Sequence, residues 1–301
     1  MTDDKKLIDS ARASPTKAFF VRMLTRDIEL QDAILDLLDN CLDGILRSGG
    51  AAADTAQPYA EFRATLTMAA DHFIIEDNCG GIPLETAKKY AFAMGRPDGA
   101  GDLTPATIGM YGIGMKRAIF KLGTDALVES RSDQGFNVEF TPEWMASDTW
   151  DDLPIYELND GQLDGRGTRI TVFQLSDEAA SALSDPDWID SFRKLVSRHY
   201  SLIIAKGFQV LVGSPDEIAA GLEPIGAEPF RLLSAHIAEG ESAIAPYVYS
   251  GTIDGVEVEI YAGLYRELLS PDELEAEEET RGTSDDAGWT VACNDRVVIW
   301  K

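Results

Sequence analysis

Residues 72–83 read HFIIEDNCGGIP, an apolar run that ends in Asp77-Asn78-Cys79-Gly80-Gly81-Ile82. Phe73–Glu76 has the composition of a short strand, and Asn78–Gly81 that of a tight turn. A carboxylate at the end of a buried strand needs a partner, because an unpaired buried charge is costly. Upstream, residues 33–44 read AILDLLDNCLDG. Apolar residues at Leu30, Ala33, Ile34, Leu37, Leu38, Cys41, Leu42 and Ile45 give helical spacing over Glu29–Leu46, stopped by Gly49-Gly50. Downstream, residues 108–120 read IGMYGIGMKRAIF, with Gly109, Gly112 and Gly114 ahead of a helical run.

Each motif supplies one part of a nucleotide site. Asp36 and Asn40 are four apart and share a helix face, with Asp43 and Gly44 one turn further on. The Asn40 amide offers a neutral oxygen to Mg2+, and the Asp36 carboxylate can orient and deprotonate a water. The plain alternative is a solvated helix face, the reading preferred for Asp39. The exocyclic amine of adenine would serve Asp77 as a donor, and Gly80 and Gly81 allow close approach to a flat ring. An ordinary turn aspartate is the alternative. Gly109, Gly112 and Gly114 permit a loop whose N–H groups point at phosphates, at the positive start of a helix, with Lys116 as an added cation. A linker would also be glycine-rich, and the spacing is not that of a P-loop or a dinucleotide fingerprint. Cys79 has no His near it in sequence and reads as a packing residue.

The rest of the pattern predicts strands over Glu61–Met68, Ala126–Ser130, Phe136–Phe140, Ile155–Leu158 and Thr168–Leu175, and helices over Leu84–Met94 and Ile113–Leu122. Helices first and a mostly antiparallel sheet afterwards, covered on one face, make an α+β sandwich. Residues 95–114 are too long for a plain connector and read as a lid. Asp185-Pro186-Asp187 marks a boundary. Beyond it come a helix over Trp188–Ala205 and strands at Phe208–Val212, Tyr247–Ile253 and Val256–Ala262, with Asp254-Gly255 as a hairpin turn. Pro271–Asp286 reads as a solvated acidic loop, and Trp289–Trp300 as a last hairpin around Asn294-Asp295. The expected domains are therefore a flexible arm (1–18), a nucleotide domain (19–184) and a second α+β domain (185–301) with an acidic loop at 270–287.

Acidic residues number 52 against 26 basic, a net charge of −26, which opposes direct nucleic-acid binding by this segment. A triphosphate must then be attracted locally, by backbone N–H groups and a metal. No apolar run is long enough for a membrane helix, and the start has no secretory signal. Three scattered cysteines suggest neither a zinc site nor a disulfide framework, and a cytoplasmic location is expected. The stop directly after a hairpin reads as a chain cut from a longer protein, or one lacking a terminal element.

The combined motifs resemble the gyrase, heat-shock chaperone, histidine kinase and MutL (GHKL) ATPases, over roughly residues 20–175. The Lys after the third glycine is most similar to the MORC-like branch. The resemblance implies a Bergerat-fold two-layer α/β sandwich that binds ATP with Mg2+ and hydrolyses it slowly. Asp36 would be the catalytic base and Asn40 the Mg2+ ligand. Asp77 would read adenine, with Gly81, Ile82 and Gly44 around it. Gly109, Tyr111, Gly112, Ile113, Gly114, Met115 and Lys116 would line the phosphates. Thr168, in GRGTRITVF, would support Asp77 through its hydroxyl. ATP-dependent lid closure and homodimerisation are implied, with protein partners in a multi-component system. Residues 188–301 resemble a transducer domain, which in relatives brings a lysine to the terminal phosphate. Neither Lys206 nor Lys301 is marked for that role.

Two departures stand out. Asp36 replaces the family's usual Glu and is shorter by about 1.5 Å, where about 1 Å of misplacement can cost on the order of a hundredfold. Cys79 replaces a usual Gly. A nucleotide-gated binding module with little hydrolysis is therefore the alternative function. A histidine-kinase-like phosphotransferase is disfavoured, because His72, His199 and His236 sit in no paired-helix phosphoacceptor segment.

Overall fold

The computed structural model describes residues 8–9, 15–49, 55–93, 112–159, 161–228, 232, 245–264 and 288–300. Two compact units emerge, one spanning Met1–Ser197 and Ile203–Gly226, the other Arg198–Leu202 and Ala227–Lys301. The acidic segment 271–286 and most of the 95–114 segment lie outside the described residues, as does most of the N-terminal arm.

The first unit is a mixed α+β fold, as expected for a two-layer sandwich. It opens with α1 (Lys17–Thr25), capped by the Thr16 hydroxyl, and α2 (Leu30–Ser48). All eight apolar positions of the α2 stripe are buried. Each large one contributes about 1.5–3 kcal/mol by leaving water. Gly49 ends the helix in the left-handed region at φ 62°, where glycine carries no Cβ penalty. β1 (Arg63–Met68) and β2 (His72–Asp77) follow, then α3 (Leu84–Thr86), prolonged by a π-helical turn over Ala87–Ala91. Next come α4 (Gly114–Leu122), β3 (Gly123–Arg131), β4 (Gly135–Phe140), α5 (Pro142–Ala146), β5 (Ile155–Glu157) and β6 (Gly167–Leu175). The chain continues with α6 (Asp177–Leu183), α7 (Pro186–His199), α8 (Ser201–Ala205), β7 (Gln209–Gly213) and α9 (Pro215–Ala219), of which Arg198–Leu202 group with the second unit.

Seven strands form one sheet in the order β5-β4-β3-β6-β2-β1-β7. All neighbours are antiparallel except β1 and β7, which pair in parallel from Arg63↔Gln209 to Thr67↔Gly213. Register puts Leu66, Ile75, Ile170 and Val128 side by side on one face, with Met68, Phe73, Val172 and Ala126 in the next row. These residues are buried, and the helical layer lies over them. The opposite face carries Thr65, Glu76, Arg169 and Glu129 and is the more polar one. Arg169 there pairs with Glu76 at 2.7 Å and Glu129 at 3.4 Å.

Two features differ from the sequence reading. Residues 203–226 add β7 and α9 to the first unit, whereas the pattern set a boundary at Asp185. The helix expected over Trp188–Ala205 is broken at Tyr200, whose ring is fully buried. In addition, α1 carries no clean apolar period and was not predicted. It is held by Lys17, whose ammonium lies 3.6 Å from the Trp144 ring centroid and donates to the Trp144 carbonyl.

The second unit contains two hairpins, β8 (Tyr247–Ile253) with β9 (Val256–Ala262), and β10 (Thr290–Cys293) with β11 (Arg296–Trp300). Both turns need two positive φ values. Asp254 and Gly255 take 51° and 82°, and Asn294 and Asp295 take 50° and 66°. Those are the residue types that tolerate a type I′ turn. Within this unit the buried Arg296 guanidinium stacks over Tyr200 at 4.5 Å. Among the described residues no helix is long and apolar enough to cross a membrane.

Candidate functional site

The antiparallel register brings Asp77, Thr168 and Ser130 into one row at the end of the sheet, on the helix-covered face. Asp77 Oδ1 accepts from the Cys79 N–H at 2.6 Å, and the neighbouring Thr168 backbone also favours the ionised carboxylate. The Cys41 thiol of α2 lies 3.6 Å from Asp77 Oδ2. Loss of surrounding water pushes the Asp77 pKa up to about 6, against the lowering effect of these donors.

The row is locked by backbone contacts that exclude side chains. A Cβ on Gly81 would lie 2.1 Å from the Arg131 carbonyl oxygen, and φ there is +71°. A Cβ on Gly167 would lie 1.9 Å from the Asp77 carbonyl oxygen, and one on Gly44 would lie 2.5 Å from that of Cys79. Gly44 thus sets how closely α2 approaches the turn after β2. Cys79 is fully buried and its N–H serves Asp77, so the turn keeps its shape with Cys in place of Gly. The Gly80 φ of 97° supplies the unusual backbone angle.

Ser130 was not among the predicted site residues, yet it joins the parts of this end. Its hydroxyl accepts from the Ile82 N–H at 2.8 Å, lies 3.2 Å from the Gly167 carbonyl, and pairs with the Thr168 hydroxyl at 3.0 Å. The Thr168 hydroxyl therefore meets Ser130, and Thr168 stands beside Asp77 in the strand register.

Asp36 looks toward α4, against which α2 packs, and Asn40 lies one turn further along α2. Gly114 backs onto Asp36, since a Cβ there would lie 3.4 Å from Asp36 Cβ. Arg117 donates to Asp36 Oδ2 through Nη2 at 2.5 Å and Nε at 3.2 Å. Burial raises the Asp36 pKa, while Arg117 pulls it down and Asp39 and Asp32 add to the rise. The Asn40 Nδ2 is buried and has no hydrogen-bond partner among the described residues. An amide placed so is incompletely satisfied, and rotated by half a turn it presents its oxygen to the same space.

Of the glycine-rich segment, Gly109 and Tyr111 lie outside the described residues. Gly112 is exposed at φ 64°, Ile113 precedes α4 without a side-chain cap, and Met115 is half-buried. Lys116 is completely buried. Its ammonium donates to the Ala91 carbonyl at 2.9 Å and the Gly112 carbonyl at 2.5 Å. Where the sequence suggested a phosphate contact, the structure has Lys116 clasping the two described ends of the 94–111 segment. Burial lowers its pKa to about 8.

Residues 28–153 match the family of histidine kinase-, DNA gyrase B- and HSP90-like ATPases. The match covers less than half of the chain. It takes in the Asp36 and Asn40 helix, the Asp77 turn and the glycine-rich segment, and it stops before Thr168. It supports kinship of this segment with the GHKL-type ATPases, and such a domain suggests ATP binding. No curated protein matches the chain. The mixed sheet and its helical layer agree with the GHKL sandwich.

Proposed function

We propose that this chain binds ATP between α2, α4 and the Asp77 end of the sheet, and hydrolyses it slowly to ADP and phosphate. The observation that carries the reading is the Asp77 row. A carboxylate is held at a strand end by the Cys79 N–H, tight glycine contacts fix the backbone around it, and the Cys41 thiol of α2 lies beside it. Adenine fits this row, since its exocyclic amine donates to a carboxylate and its ring needs a flat, glycine-lined approach. Gly81, Ile82 and Gly44 shape that approach, and Thr168 and Ser130 hold it.

Asp36 is the base that would orient and deprotonate water, and Gly112, Ile113, Gly114 and Met115 would present N–H groups to the phosphates. The Asn40 amide, whose buried nitrogen has no hydrogen-bond partner among the described residues, fits a Mg2+ ligand, with Gly109 and Tyr111 assigned to the phosphate loop by sequence alone. Mg2+, when bound, supplies charge neutralisation to the phosphates. On this reading nucleotide closes the 95–114 segment and promotes a homodimer, in the manner of the MORC-like branch. The second unit, which includes Ala227–Lys301, would then pass the change to protein partners in the cytoplasm.

Titration calorimetry with ADP and Mg2+ tests the pocket. Binding by the wild type that disappears in Asp77→Asn is expected, and equal binding by both would remove Asp77 from the adenine site. A second reading, nucleotide-gated binding with little turnover, is favoured by the short Asp36 side chain and its ion pair with Arg117. Asp36→Glu should then raise turnover, and a drop would count against a reach defect.

A further inference from the structure

The first turn of α4 contains no acidic residue and carries two cations in succession, Lys116 and Arg117. That is the wrong sign for a helix start, where the dipole favours anions. Lys116 spends its charge on the carbonyls of Ala91 and Gly112. Arg117 turns to Asp36, but uses only two of its nitrogens. Nε and Nη2 converge on the single oxygen Oδ2, and Nη1 makes no hydrogen bond among the described residues. The usual fork across both carboxylate oxygens is therefore not formed. Both side chains are still about a quarter to a third exposed, at 31% and 26%. Asp36 also abuts Gly114, the first residue of the helix, so a phosphate received there would face a carboxylate at close range. Two anions side by side need a cation between them.

We infer that Arg117 reads the terminal phosphate of the nucleotide, contacting it through Nη1 while Nε and Nη2 keep hold of Asp36, and so distinguishes the triphosphate from the diphosphate. This rests on the nucleotide reading above and assigns it a specificity residue. One guanidinium then sits on both the phosphoryl group that water attacks and the base, while ADP departs as the leaving group. The carboxylate oxygen Oδ1, which Arg117 leaves open, is the one available to water. The short reach of Asp36 is offset because its carboxylate is pinned beside the helix start.

The test compares ADP with the non-hydrolysable β,γ-imido analogue of ATP, each with Mg2+, on the full chain. Arg117→Ala should weaken the imido-triphosphate at least about tenfold, the scale of one charge-assisted contact, while ADP affinity stays within about twofold. In turnover assays kcat should fall with it. Arg117→Lys, which keeps the charge and loses the fork, should recover part of the triphosphate preference. Asp36→Asn frees the guanidinium and should leave that preference intact or larger. Equal weakening of both nucleotides by Arg117→Ala, or no change in either, overturns the assignment in favour of a structural or incidental ion pair. Faster turnover in that variant overturns it in favour of simple inhibition of Asp36. If Arg117→Ala does not fold, Arg117→Gln is read against the same two nucleotides. Absence of ADP binding by the wild type would instead sink the pocket, a failure visible before any Arg117 variant is made.

Discussion

The two ends of the site are built on different principles. At the Asp77 end the parts are backbone: strand register, the turn N–H of Cys79, and glycines where a Cβ would come within 1.9–2.5 Å of carbonyl oxygens. At the Asp36 end the parts are side chains: an ion pair between two helices, a buried lysine on two carbonyls and an amide with an unpaired nitrogen. Backbone parts cannot be re-aimed without unfolding the sheet. Side chains exchange partners at low cost, because a partly exposed ion pair is worth at most about 1 kcal/mol. On the proposed reading the backbone-built end is the one that recognises adenine and the side-chain-built end the adjustable one where hydrolysis would occur.

The sharpest break in that contrast is Gly167→Ala. The new methyl collides with the Asp77 carbonyl, so the fold should lose about 3–5 kcal/mol, read as a lowered urea midpoint. A change under about 1 kcal/mol would show that the Asp77 end is less rigid than described. Next, Asp77→Asn should reduce ADP affinity at least about a hundredfold, about 2.7 kcal/mol, while the circular-dichroism spectrum stays unchanged. At the other end, Asp36→Ala should cut turnover by roughly a hundredfold and leave ADP binding within about threefold. Unchanged turnover would remove Asp36 from the base role.

The smallest effect concerns pH. Asp77 titrates near 6 in the fold, above its usual range, so the folded chain holds a proton there that the unfolded chain has released. Its contribution to stability is present at pH below the usual carboxylate value and is lost as pH rises through about 6. The wild type should therefore gain about 1 kcal/mol relative to Asp77→Asn on moving from pH 7 to pH 5, allowing for partial exposure. Parallel profiles for the two chains would contradict the raised titration.

The two ends also differed in how far the sequence revealed them. The α2 stripe, the turn after β2 and both hairpin turns are local patterns, and each formed where its spacing indicated. The glycines at 44, 81 and 167 stood out by type, although the collisions they avoid belong to distant carbonyls. Ser130 carried no signal, because its partners Ile82 and Thr168 lie 48 and 38 residues away. Arg117 was hidden likewise, since Asp36 is 81 residues distant and nothing in MKRAIF indicates which cation turns inward. The same blindness applied to α1, whose anchor is Lys17 among tryptophans. It applied also to the parallel partner of β1, which comes from beyond the apparent boundary at Asp185.

That parallel partner has a practical corollary for anyone cutting the gene. A fragment ending near residue 184 would retain all three motifs and still leave one margin of β1 without its ladder of hydrogen bonds. Bare strand margins recruit other chains. Such a fragment should clump as it is concentrated, whereas one reaching Gly226 carries its own cover for that margin. During synthesis the ribosome imposes the same order, and the first unit stays adhesive until the strand at 209–213 has emerged.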